Sequence, residues 1–120
     1  VRVTCTQDMG LCVNPGGAIQ QMEGSIIMSL GYTLTEEVSF EGGKVLNRGF
    51  DTYEIPRFSW LPKIECVILD RKDKPPKGGG EPAIITLGAV VANAVHDATG
   101  ARMYSMPFTP ERVLEALKMV

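Results

Sequence analysis

Histidine and cysteine are scarce in this chain of 120 residues: one His, at position 96, and three Cys, at 5, 12 and 66, with no C-x-x-C spacing. That supply excludes a disulfide framework and a self-contained cysteine zinc site. The three thiols read as small buried or reduced hydrophobes. Net charge is nearly balanced, 12 Lys and Arg against 14 Asp and Glu, so no basic field is offered to nucleic acid. No apolar run approaches the roughly 20 residues that cross a bilayer. There is no initiator methionine and no basic-then-apolar leader, and Val1 opens directly in a strand pattern, which reads as a piece of something longer.

The residues that are present alternate between strand and helix signals. "VRVTCT" has period-2 alternation with β-branched residues, a strand. Asn14 followed by Pro15 marks a helix start, and Ile19, Met22, Ile26, Leu30 and Leu34 then recur every three or four residues. Gln21 and Ser25 stand four apart on another face of that helix. Gly24 and Gly31 sit inside it at about 1 kcal/mol each relative to alanine, which points to close approach by a neighbour. Gly42-Gly43 predicts a hairpin turn, "FDTYEIPRF" an extended segment, and Ile64, Cys66 and Ile68 a strand. Pro82 opens a second helix with a stripe of Ile84, Leu87, Val91, Ala94, Val95 and Ala98, closed by Gly100. Thr109-Pro110-Glu111 starts a short last one. The expected class is α+β: a single domain over 1–120 with a small mixed or antiparallel sheet. Against it pack two long amphipathic helices, about 15–33 and 82–99, and a short C-terminal helix follows at about 110–118.

Between the last strand and the second helix lies "RKDKPPKGGG", a long loop of the kind that often carries function. A glycine-rich approach to a helix start reads first as an anion cradle. This one lacks the Gly-Lys-Ser/Thr ending of a phosphate loop, and Glu81 would repel a phosphate. On physics alone Glu81 is either a residue that favours the helix dipole or a general base. The helix start favours its carboxylate, burial in a water-poor pocket would favour its protonated form, and Gly78, Gly79 and Gly80 keep the approach open.

In order, "DMGLCVNPGG", "QQMEGSIIMSLGYTLTEEV", "GFDTYEIPRF", "PKIECVIL", "GGGEPA" and "ANAVHDATGARMYSMPF" resemble the C-terminal part of the large molybdenum-binding subunit of the molybdenum hydroxylases. This is the xanthine dehydrogenase and aldehyde oxidase family, and the final stretch leans toward the isoquinoline 1-oxidoreductase beta subunit type. The resemblance implies oxidation of an aldehyde or N-heterocyclic small-molecule substrate with water-derived oxygen. Molybdenum would be held by a molybdopterin cofactor, of the cytosine dinucleotide form, rather than by protein ligands. It implies Glu81 as general base on a hydroxyl held at the metal, and Gln21 with Gly78, Gly79 and Gly80 at the cofactor. Implied partners are the rest of the molybdenum-binding subunit and an iron–sulfur subunit or domain, and the isolated chain would be inactive. Ser25 departs from the pattern, since many relatives read a second glycine there, and "GEPA" stands where others have "GEPP". The alternative is a non-catalytic structural or interaction module of the same fold. Substrate identity and compartment stay open at this level.

Overall fold

The computed structural model describes residues 1–119; Val120, the last residue of the expected domain, lies outside them. In chain order the elements are β1 (Arg2–Gln7), α1 (Pro15–Leu34), β2 (Phe40–Glu41), β3 (Lys44–Val45), a 3-10 turn at Phe58–Trp60, β4 (Lys63–Ile68), α2 (Pro82–Ile85), α3 (Leu87–Thr99) and α4 (Pro110–Leu117). They form two units. One holds Val1–Met28 with Arg57–Thr86, and the other holds Ser29–Pro56 with the chain from Leu87 onward.

In the first unit β1 and β4 pair in parallel, with Val3 opposite Ile64, Cys5 opposite Cys66 and Gln7 opposite Ile68. The expected α+β class with a small sheet stands. The pairing of these two strands is parallel, however, and α1 lies inside the long connection that a parallel pair requires. The ladder continues past the strands, Lys63 N–H donating to Val1 O at 3.1 Å and Leu69 N–H to Gln7 O at 3.0 Å. Val3 and Cys5 are half-buried and Gln7 is buried, while Arg2, Thr4 and Thr6 are exposed. The strand therefore runs one residue past the sequence reading and ends on an inward amide. Met9, Met22, Ile26 and Ala83 form the apolar core of this unit.

The start of α1 follows its sequence signal. Asn14 Oδ1 accepts from Gly17 N–H at 3.0 Å, and Pro15 occupies the first helical position, where no N–H is needed. Its stripe is buried at Met22 and Ile26 but only half-buried at Leu30 and Leu34, with Ile19 exposed. Ser25, Ser29 and Thr33 are buried as well, so the polar row at four-residue spacing is an inner face and not a solvated one.

In the second unit β2 and β3 make the expected hairpin, with Gly42 at φ 54° and Gly43 at φ 76°, the positive pair that a two-residue type I′ turn needs. "FDTYEIPRF", expected to be extended, turns and bends over its first four residues, 50–53, and reaches an extended Arg57 just before the 3-10 turn. Thr35 Oγ1 donates to Glu54 O at 2.8 Å and Tyr53 OH to Glu36 Oε2 at 2.6 Å, which folds this stretch back on the end of α1. The Glu36 carboxylate, as acceptor, pushes the Tyr53 phenol up.

The single helix expected over 82–99 is two. Thr86 ends α2 at φ −96°, ψ −20°, and α3 restarts at Leu87. The β-branched run Ile84-Ile85-Thr86 has weak helix propensity, and the three-residue step from Ile84 to Leu87 preserves the apolar spacing across the break. Periodicity alone therefore does not register it. Gly100, at φ 80°, caps α3 by donating its N–H to His96 O at 2.7 Å. Leu87, Ala101 and Phe108 are the buried apolar residues of this unit.

The two glycines inside α1 separate clearly. A Cβ at Gly31 would run into the Glu36 carboxylate, itself held by Tyr53, and would stand 2.8 Å from the stiff ring of Pro56. At Gly24, nothing among the described residues lies within 4 Å. Gly31→Ala is expected to destabilise by about 1–3 kcal/mol through overpacking, and Gly24→Ala to stabilise by up to about 1 kcal/mol through helix propensity. Urea unfolding of the two variants checks the contrast.

Candidate functional site

The loop from Arg71 to Gly80 is long but stitched down. Leu11 N–H donates to Lys74 O at 3.0 Å and Lys77 N–H to Met9 O at 2.8 Å, so the loop lies along the segment that follows β1. That approach depends on Gly10, whose φ is +67° and where a Cβ would strike the Pro75 carbonyl. Arg71 adds a charged tie, reaching Asp8 at 3.2 Å and Asp73 at 3.0 Å. Its guanidinium holds the Asp73 carboxyl below the usual carboxylate range, and Asp73 and Asp8 in turn raise the Arg71 pKa.

Just before Glu81, two consecutive carbonyls are held by side chains. Gln7 Nε2 donates to Gly79 O at 3.2 Å. Gln21 Nε2 donates to Gly80 O at 2.8 Å, and Ser25 Oγ donates to the same oxygen at 3.2 Å. Gln7 and Ser25 are buried, at 5% and 6% exposure, while Gln21 is exposed. Water therefore competes freely with the Gln21 bond and little with the other two.

Glu81 follows immediately, at φ −115°, ψ −9°, and its side chain makes no capping bond to α2. It is exposed, not sunk in an apolar pocket as the burial argument expects, and α2 is only four residues long. With so short a helix the dipole argument loses most of its weight. Glu81 instead lines an open cleft of about 430 Å³ together with Gly78, Gly80, Pro82 and Ile85. Ala83, just inside α2, is buried and anchors that short helix.

The structure thus brings Gln21, Gly80 and Glu81 together, with Gly78 beside them in the cleft. Gly79 differs: it is half-buried, and a Cβ there would press on Met9 and stand 3.1 Å from Gln7 Nε2, so its missing side chain serves packing within the chain. Sequence reasoning missed Gln7, whose signal is a polar residue in phase with Val3 and Cys5, and set Ser25 beside Gln21 on one helix face without giving it a partner. Cys5 and Cys66, opposite each other in the ladder, are free. Burial pushes both thiols up, with the Cys5 and Glu23 charges adding to the effect at Cys66, which makes them poor nucleophiles. Among the described residues, no group of three or more His, Cys, Asp or Glu could hold a metal, and no helix is long and apolar enough to cross a membrane.

Residues 1–62 match the family described as molybdopterin cofactor-binding domain. The chain belongs to this family, that of the molybdenum hydroxylase large subunits. It is 42% identical over 116 residues to one of the subunits of nicotinate dehydrogenase from Pseudomonas putida, an alignment covering 97% of this chain and 10% of that protein. Quinoline 2-oxidoreductase from Pseudomonas putida 86 superposes with a TM-score of 0.85 at 28% identity, covering 96% of this chain and 16% of that one. Aldehyde oxidoreductase from Desulfovibrio gigas gives 0.82 at 32% identity, covering 96% and 13%. The chain therefore spans about a tenth to a sixth of the length of these relatives.

The residues at the cleft fit a molybdopterin. Gly78 and Gly80 are open, with nothing among the described residues within 4 Å of where a Cβ would stand. Gln21 spends its amide N–H on Gly80 and keeps its Oε1 as an acceptor for a polar ring edge. Beneath the loop, Gln7 Oε1 is buried with no hydrogen-bond partner among the described residues.

The Arg71 tie yields a pH prediction. Because Asp73 has its pKa lowered on folding, its contribution is present above the ordinary value of 3.8 and is lost as pH falls through the lowered one. Amide exchange in the Arg71–Lys77 loop, corrected for intrinsic rates, is expected to stay flat from about pH 7 to 5 and to rise below about pH 4. Arg71→Ala is expected to raise it throughout.

Proposed function

We propose that this chain is the C-terminal domain of a molybdenum hydroxylase large subunit and that it supplies the general base of the reaction, Glu81. The observation that carries this reading is a carboxylate facing an open cleft directly after a carbonyl fixed by two side chains, Gln21 and Ser25. When bound, the molybdenum cofactor supplies the oxidising centre for introducing water-derived oxygen at an electron-poor carbon. Glu81 takes up the proton that the oxygen nucleophile releases, and its exposed position leaves it able to pass that proton on. Gly78 and Gly80 let the cofactor approach the backbone, and Gln21 meets it through its amide. We read the cofactor as the cytosine dinucleotide form and the electron outlet as an iron–sulfur subunit or domain.

The substrate class proposed is an N-heteroaromatic compound or an aldehyde. The activities that similar proteins are named for, on nicotinate, quinoline and aldehydes, support it, and "ATGARMYSMPF" supports the isoquinoline 1-oxidoreductase type. Large apolar side chains left in the open, Ile85 at 76% beside Glu81 and Phe58 at 95%, support a chain that packs against the rest of a larger subunit and is inactive alone.

The test uses the full-length enzyme. Glu81→Gln, which keeps the shape but cannot accept the proton, is expected to lower kcat and kcat/KM by at least about 100-fold with molybdenum content and Tm unchanged. Glu81→Asp, whose carboxylate is withdrawn by about 1 Å, is expected to recover little of that. Turnover of Glu81→Gln within a few-fold of wild type rejects the base assignment and favours the non-catalytic module. Gln21→Ala is expected to lower cofactor occupancy, read by metal analysis of the purified protein.

A further inference from the structure

The Gly80 carbonyl has two donors, and they are not equivalent. Ser25 sits in the middle of α1, where a serine hydroxyl ordinarily returns its proton to the carbonyl one turn earlier. Here the proton goes outside the helix, to Gly80 O, across 55 residues of sequence. Ser25 is 6% exposed, whereas Gln21 is exposed on the same helix face one turn away. Gly80 O and Glu81 N share one planar peptide unit, so fixing the oxygen fixes the plane from which the Glu81 side chain leaves the backbone. With no capping bond of its own, Glu81 takes its direction from that plane.

We propose that Ser25 is the positioning residue for Glu81: of the two donors to the Gly80 carbonyl it is the buried one, so it keeps that carbonyl fixed when the exposed Gln21 bond yields to water or to the cofactor. The proposal rests on Glu81 being the base, as argued above, but the clamp itself can be read independently of catalysis. Without Ser25, the Gly80 carbonyl would rest on the exposed Gln21 bond alone, for which water competes. Gln7 braces the preceding carbonyl, Gly79 O, from below and completes a rigid approach to Glu81.

The experiment compares Ser25→Ala, Ser25→Thr and Ser25→Gly in the full-length, cofactor-loaded enzyme, with amide exchange of the 79–85 segment as a readout besides activity. Ser25→Ala is expected to leave molybdenum content and KM near wild type and to lower kcat about tenfold, the loss of one hydrogen bond's worth of positioning. It is also expected to speed exchange at Gly80 and Glu81. Ser25→Thr, which keeps the hydroxyl, is expected to recover both, and Ser25→Gly to match Ser25→Ala. If the buried site cannot accommodate the threonine methyl, the agreement of the alanine and glycine variants in exchange carries the test. Unchanged kcat and unchanged exchange in Ser25→Ala overturn the proposal. Faster exchange in Ser25→Ala with an active Glu81→Gln enzyme keeps the clamp and rejects the base. An inactive Glu81→Gln enzyme with a fully active Ser25→Ala variant keeps the base and rejects the clamp.

Discussion

Two backbone carbonyls, those of Gly79 and Gly80, are the points on which the site depends. A glycine-rich loop that ends in the proposed base has a built-in conflict, because the residues that clear the approach also give the backbone the most freedom to lose. The structure resolves it by taking the restraint from outside the loop. Gln7, at the end of β1, holds one carbonyl, and Gln21 with Ser25, one turn apart on α1, hold the next. Gly80 can stay bare at the cleft because its own oxygen is tied by two side chains.

That arrangement requires β1, α1 and the loop to keep fixed relations, and the parallel pairing of β1 with β4 supplies them. A parallel pair needs a long connection, and α1 lies within it; Gln7 at the end of β1 and Gln21 with Ser25 on α1 meet the loop at adjacent carbonyls. The loop after β4 then runs beside the segment after β1, at the same end of both strands. Gly10 permits the contact, Met9 and Lys77 exchange a backbone bond across it, and Arg71 ties it to Asp8. Each of these is modest alone. Their effect is that a ten-residue connection has few ways to move.

Chemically, the proposed base stands in the open and draws little from a helix of four residues. A correctly aimed carboxylate contributes through its placement. The buried and titratable groups elsewhere fit supporting roles. Cys5 and Cys66 are kept protonated by burial on the sheet, and Tyr53 is locked to Glu36 behind Gly31 in the other unit.

Local signals were legible in the sequence wherever one residue type has one use. Asn14-Pro15 marked the start of α1, Gly42-Gly43 the hairpin and Gly100 the end of α3, and each stands because capping and positive φ are decided within a few residues. The ordered motifs from Asp8 to Phe108 carried the family, which the match over residues 1–62 bears out. Other features needed the fold. Periodicity could not register the break at Thr86, since the apolar spacing runs through it, and alternation in β1 and β4 could not say whether they pair in parallel. The partner of Ser25 was the least accessible of all. Spacing placed it one turn from Gln21, but the oxygen that both residues reach lies 55 residues on from Ser25, and only the parallel pairing and the long connection that holds α1 bring the two together.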